Sequence, residues 1–240
     1  MDIINCNRIE KTYKNGKEAL RDIEMCIRQG ERVGLIGPMG AGKTTLLRVL
    51  AGVLDSTSGI LQIGVEKKET AYMPASNGLI RTLTVRDNIK IWRNAFGASS
   101  ENVDYIIENL KLERILDKEI RHLSSGMRTL VSFGCTIVGK PKLVLLDEPF
   151  VHLDVSGCLK IEEMLNYLDG YPVELPARYS NRTACFTKVY LITNIPLEEQ
   201  YTNIQDKQPA TWNALLRRIH HYLFYSSTGI HELDINKLKI

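Results

Sequence analysis

An α/β fold, a parallel sheet flanked by helices, is predicted by three features of this 240-residue sequence. The apolar run 33–36 leads into a glycine-rich stretch, Gly37-Pro38-Met39-Gly40-Ala41-Gly42-Lys43-Thr44-Thr45, which opens a helical segment at 46–51. A second apolar run, 143–146, ends in the acids Asp147 and Glu148. Between them lies a region with helix-start signals and helical periodicity at 84–110. Strand-like runs at 3–9 and 19–27 precede the first feature, so the expected architecture adds an antiparallel N-terminal lobe and a helical insert to the parallel core.

Composition sets the frame for each element. With 44% apolar and 25% charged residues the chain can bury a full core. No apolar run approaches the length of a membrane span, and the start, Met1-Asp2-Ile3-Ile4-Asn5-Cys6, lacks the basic-then-apolar layout of a signal peptide, so an intracellular, cytoplasmic location is expected. Five cysteines, Cys6, Cys26, Cys135, Cys158 and Cys185, form no metal-ligand spacing and read as free thiols. The net charge of +3 does not declare a nucleic-acid protein.

The two N-terminal strands should meet around Lys14-Asn15-Gly16-Lys17, a polar turn. Tyr13 stands where a ring could stack on a nucleobase, or equally where a half-buried strand tyrosine would sit. The stretch from Gly37 fits G-x-x-x-x-G-K-[ST] at every required position. Its glycines let backbone N–H groups converge on phosphate oxygens, Lys43 brings a point charge, and the Thr44 hydroxyl can ligate Mg²⁺. The following helix adds its positive dipole end. This is the P-loop of an NTPase, and the chain is expected to bind a nucleoside triphosphate.

Strands are expected at 60–63 and 70–73, a loop at 74–78, a helix capped by Thr84, and continued helix at 101–110. Leu123-Ser124-Ser125-Gly126-Met127 precedes a helical run at 128–138; its hydroxyls and N–H groups suit a phosphate, and suit an ordinary helix cap better. At the end of the 143–147 strand, Asp147 can hold Mg²⁺ and Glu148 can orient or deprotonate an attacking water.

On these motifs, residues 2–154 resemble the ATP-binding subunit of an ABC transporter, nearest in type to exporters of polysaccharide or teichoic acid. The resemblance makes Tyr13 the adenine-stacking residue and Gly37, Pro38, Met39, Gly40, Ala41, Gly42, Lys43, Thr44 and Thr45 the Walker A loop. It makes Ser124, Ser125 and Gly126 part of the signature, Asp147 and Glu148 the Walker B pair, and Val151-His152-Leu153-Asp154 the D-loop. It implies ATP and Mg²⁺, a separate membrane-spanning partner subunit, an ATP-dependent homodimer, and a place at the inner face of the cell membrane. Two departures stand out: no glutamine lies near Ala75 where the family has one, and Ser125 and Met127 replace the commonest signature residues.

Beyond the acid pair the family's sensor histidine is absent. From about 159 to 228 the chain resembles the C-terminal part of the superfamily 3 helicase domain of Rep proteins from small circular single-stranded DNA replicons. That resemblance makes residues 188–193 a strand of the same sheet and Asn194 its terminal phosphate sensor, although Asn194 can equally cap the turn at Ile195-Pro196. It makes Arg178, Arg182 and Lys188 contacts to single-stranded DNA, and Arg217 or Arg218 an arginine finger, against the plainer reading of solvated surface charges. The expected division is therefore 1–154, an ABC-type ATP-binding domain, and 155–240, a composite C-terminal part. The expected function is an ATPase subunit of an ABC-type transporter; the alternatives are a Rep-like replication helicase acting on single-stranded nucleic acid and a chimeric product without function.

Overall fold

The computed structural model describes residues 2–150, 152, 153, 156–158, 160, 161, 164, 189–193, 221–226 and 229–233. They fall into two compact units. One comprises the chain to Lys67, Leu145–Glu148 and the C-terminal strands; the other comprises Lys68–Val144 and the segment from Pro149.

The first unit opens with β1 (Asp2–Thr12) and β2 (Glu18–Arg28), an antiparallel pair. Both are longer than the sequence implies, because bulges at Arg8 and Asp22, each with positive φ, let pairing continue past breaks in the apolar alternation. Ile4, Ile9, Leu20, Ile23 and Ile27 bury one face of this ribbon. The third strand of this small sheet is β4 (Ser58–Ile63), antiparallel to β1. Gly59 is required there: a Cβ would lie 2.2 Å from the Arg8 carbonyl oxygen.

The larger sheet of this unit is built on β3 (Val33–Ile36), buried at all four positions. A short run that is apolar throughout, without alternation, is what a strand covered on both faces needs. β3 pairs in parallel with β7 (Val189–Thr193) on one side and β8 (His221–Ser226) on the other. β9 (Gly229–Leu233) returns antiparallel to β8. β6 (Leu143–Asp147) begins in the second unit and ends in the first, and β5 (Thr70–Met73) belongs to the second. From β3 the chain passes through the glycine-rich loop into α1 (Lys43–Leu50), which buries Leu46, Leu47, Val49 and Leu50.

The second unit holds the helices. α2 (Val85–Phe96) starts at Thr84, whose hydroxyl oxygen accepts from the Asp87 N–H at 3.1 Å. The helix does not run on into 101–110: Gly97 adopts the left-handed conformation that ends α2, and Ser99 caps a separate α3 (Ser100–Leu110). α4 (Ser125–Ile137) begins three residues earlier than the hydrophobic pattern implies, since Ser124 caps it by accepting from the Met127 N–H. Gly134 lets α3 approach α4 closely, a Cβ there falling 2.9 Å from Ile106 and 3.0 Å from Leu110. Residues 156–158, 160, 161 and 164 are helical.

The α/β core, antiparallel N-terminal lobe and helical insert are thus as expected. Among the described residues no helix is long and apolar enough to cross a membrane, and Cys6, Cys26, Cys135 and Cys158 are free thiols.

Candidate functional site

The loop between β3 and α1 is held in a shape that only glycine allows at three points. Gly40 and Gly42 have φ of 81° and 108°, in the left-handed range. Gly37 does not, and its requirement is steric: a Cβ on Gly37 would lie 2.2 Å from the carbonyl oxygen of Tyr225 in β8. Gly42 is doubly constrained, since its Cβ would meet the Ala19 carbonyl oxygen at 2.2 Å and the Tyr225 ring at 3.2 Å. Ala41 closes a turn by donating its N–H to the Pro38 carbonyl at 3.2 Å. Met39, at the tip, is 87% exposed.

Lys43 enters the loop from the first turn of α1. It is buried and donates from Nζ to the carbonyls of Gly37 at 2.6 Å and Pro38 at 2.7 Å, so the ammonium is held against the start of the loop. Burial lowers its pKa below the ordinary lysine value, while the carboxylates of Glu148 and Asp147 act in the opposite direction. A phosphate anion in the loop would add a third favourable charge and relieve the desolvation cost.

The next residue, Thr44, donates from Oγ1 to Asp147 Oδ1 at 3.2 Å, joining α1 to the end of β6. Asp147 is only 1% exposed. A hydroxyl and a carboxylate oxygen side by side are hard oxygen donors of the kind Mg²⁺ takes, and the residues present fit that ion beside a bound phosphate. Glu148 then turns the chain with φ of 54°, an uncommon conformation for a residue with a side chain. Strain of about 1–3 kcal/mol held by surrounding structure is a mark of sites where a side chain must be aimed. Tyr13 lies just beyond β1, and its hydroxyl shares a hydrogen bond of 3.1 Å with Thr45 Oγ1. The Lys11 ammonium sits 5.9 Å from its ring centre. The structure thus brings together, in the first unit, Tyr13, the stretch from Gly37 to Thr45, Asp147 and Glu148.

In the second unit Ser124 serves as the cap of α4, as the plainer reading of that turn has it, and Ser125 and Gly126 form its first turn. Gly126 has a local reason to be glycine, because a Cβ would lie 2.7 Å from the His152 carbonyl oxygen. Asn194, the arginines at 178, 182, 217 and 218, and Lys188 lie outside the described residues, as do Val151 and Asp154 of the expected D-loop. In the loop that lacks the glutamine, Asn77 has φ of 69° and its carbonyl accepts from Ser132 Oγ at 2.6 Å.

Two parts of the loop's support carry no motif and were not legible in sequence: the Ala19 carbonyl and Tyr225, which stands about 180 residues downstream of Gly42. The register between β3 and β8, with Ile36 opposite Phe224, places Tyr225, and the close approach of β2 to Gly42 places the Ala19 carbonyl.

Comparison with known proteins shows the family of the chain. Residues 20–151 match the ABC transporter family model. The chain is 35% identical over 181 residues to the spermidine/putrescine import ATP-binding protein PotA of Spiroplasma citri, covering 70% of this chain and 51% of that protein. It is 34% identical over 182 residues to a probable multidrug ABC transporter ATP-binding protein of Escherichia coli (strain K12), covering 70% of this chain and 32% of that one. The chain therefore spans about half, or less, of the length of these relatives. Among solved structures, an ATP-binding subunit of an ABC transporter superposes with a TM-score of 0.75 at 20% identity, covering 98% of this chain and 90% of the other. A dimeric ATP-binding cassette in a post-hydrolysis state with ADP and Pi gives 0.73 at 19%, covering 97% and 98%. The family match ends at 151, and these comparisons lend no support to the Rep-type resemblance of 159–228.

Proposed function

Since the chain belongs to the ABC transporter family, we propose that it is an ATP-binding and ATP-hydrolysing subunit of an ABC-type transporter. The observation that carries this reading is the Thr44–Asp147 hydrogen bond. It joins the glycine-rich loop to an acidic strand end, whose carboxylates act electrostatically on the buried Lys43 ammonium.

The roles follow from the chemistry of each group. The loop N–H groups and Lys43 bind and orient the β- and γ-phosphates, an interaction in which charge-assisted hydrogen bonds dominate. Tyr13 offers a ring face to the adenine. Thr44 and Asp147 hold Mg²⁺, which supplies positive charge to the phosphate oxygens. Glu148, aimed by its strained backbone, orients the attacking water and accepts its proton. The second unit contributes Ser124, Ser125 and Gly126 in trans: in a head-to-tail homodimer each copy's signature faces the other's loop and closes over the nucleotide. A dimeric cassette among the structural neighbours supports that assembly. A separate membrane-spanning subunit is the remaining partner, which places this chain in the cytoplasm at the inner face of the membrane. The import and multidrug descriptions of its relatives support a transport role without assigning a substrate. No observation favours the alternative of a helicase acting on single-stranded nucleic acid.

Asn194 follows Thr193, which pairs with Ile36 immediately before Gly37, and on this reading it contacts the γ-phosphate or the water. A neutral amide replaces the family's histidine there and no glutamine stands near Ala75, so turnover should be slow while binding is retained. Loss of one such donor costs roughly 10²–10³ in rate.

Three measurements test these assignments. Lys43→Ala should weaken Mg-ATP binding by at least about tenfold, on the order of 1.4 kcal/mol, in a nucleotide titration; unchanged affinity would remove the assignment. Glu148→Gln should bind ATP without hydrolysing it and elute as an ATP-dependent dimer in size-exclusion chromatography, whereas a species that stays monomeric at saturating ATP would contradict the in-trans role of the signature. Asn194→Ala should lower steady-state phosphate release at saturating Mg-ATP while leaving affinity unaltered, and an unchanged rate would take Asn194 out of the site.

A further inference from the structure

We propose that Tyr225 is a positioning residue for the phosphate loop, a brace that fixes its two ends against β2 and β8; this rests on the ATP-binding reading above. β8 runs parallel to β3 with Phe224 opposite Ile36, so Tyr225 falls beside Gly37, where the loop departs. Its carbonyl oxygen occupies the space that a Cβ on Gly37 would need, at 2.2 Å. Its ring reaches the far end of the loop, with Cε1 and the hydroxyl each 3.2 Å from where a Cβ on Gly42 would lie. The same hydroxyl donates to the Ala19 carbonyl at 3.3 Å, and that carbonyl closes the other side of Gly42. One side chain therefore fills the space beside the loop's far end and bonds to the strand that confines it, while its own backbone confines the near end.

The physical need for such a brace comes from the glycines. Gly40 and Gly42 give the loop its left-handed turns, and they also leave it the largest conformational freedom of any residue type. Converging N–H groups bind an anion well only if that freedom is removed before the anion arrives, because ordering on binding subtracts from affinity. Tyr225 is only 2% exposed, so its ring is held by packing. Desolvation, with a smaller contribution from Glu18, pushes its hydroxyl up to about 12. No motif of the family match includes it, since that match ends at 151.

The test compares the unmodified chain with Tyr225→Phe and Tyr225→Ala, reading the dissociation constant for Mg-ATP and the nucleotide-free unfolding midpoint. Tyr225→Phe keeps the ring and the backbone and loses only the bond to Ala19; it should weaken Mg-ATP binding by roughly two- to tenfold. Tyr225→Ala, which also empties the space beside Gly42, should weaken it further, so the phenylalanine variant counts as partial rescue. Should the alanine variant fail to fold, the phenylalanine variant carries the test alone. A lowered midpoint with Mg-ATP affinity equal to that of the unmodified chain would make Tyr225 a core residue only and overturn the brace. Failure of the unmodified chain to bind Mg-ATP would instead overturn the nucleotide reading, and the brace with it.

Discussion

A loop that turns its N–H groups toward an anion must put its other side against something, and in this chain that side has no room for a single extra carbon. Gly37 abuts the Tyr225 carbonyl and Gly42 abuts the Ala19 carbonyl, each at a separation no Cβ tolerates. The rest of the first unit is arranged to supply those two walls. β3 is apolar at every position because it is covered on both faces, and the parallel register with β8 delivers Tyr225 to the loop's origin. β2 delivers Ala19 from the antiparallel lobe. The small sheet and the large one therefore meet their shared purpose at the phosphate loop.

Electrostatics follow from that enclosure. Burying Lys43 and Asp147 would be costly for either charge alone. Here the ammonium is satisfied by two loop carbonyls, and the carboxylates of Glu148 and Asp147 act on it favourably. Thr44 accompanies Asp147 as donor. The arrangement suits a polyanion with a divalent cation, beside which Lys43 would gain an anionic partner and Asp147 a cationic one. Positioning of this kind accounts for most of the catalysis of phosphoryl transfer, where the protein does little covalent chemistry.

Much of this was legible in the sequence, for a physical reason: the residues of the loop and of the acidic strand end are chosen by local rules. Glycine spacing, an apolar run and a terminal pair of acids each report a backbone shape or a charge. The helical insert was likewise readable from the cap at Thr84, but the break at Gly97 was not taken from it, because a lone glycine between two amphipathic stretches is compatible with either outcome. The early start of α4 was obscured by Ser124-Ser125-Gly126, poor helix formers that are nonetheless suited to a first turn. Tyr225 left no trace, since its role is set by strand register across the whole chain and by a carbonyl that every residue type possesses. The family's missing glutamine and histidine were visible as absences.

The central claim is that Lys43 and the loop around it read the β- and γ-phosphates of a nucleotide. Titration of the unmodified chain with ATP, ADP and AMP in the presence of Mg²⁺ tests it most directly. The account predicts that ATP and ADP bind and that AMP, which places nothing at the β-phosphate position, binds at least about tenfold more weakly. AMP binding as tightly as ATP would mean that the loop does not hold the phosphates, and would contradict the assignment at its root.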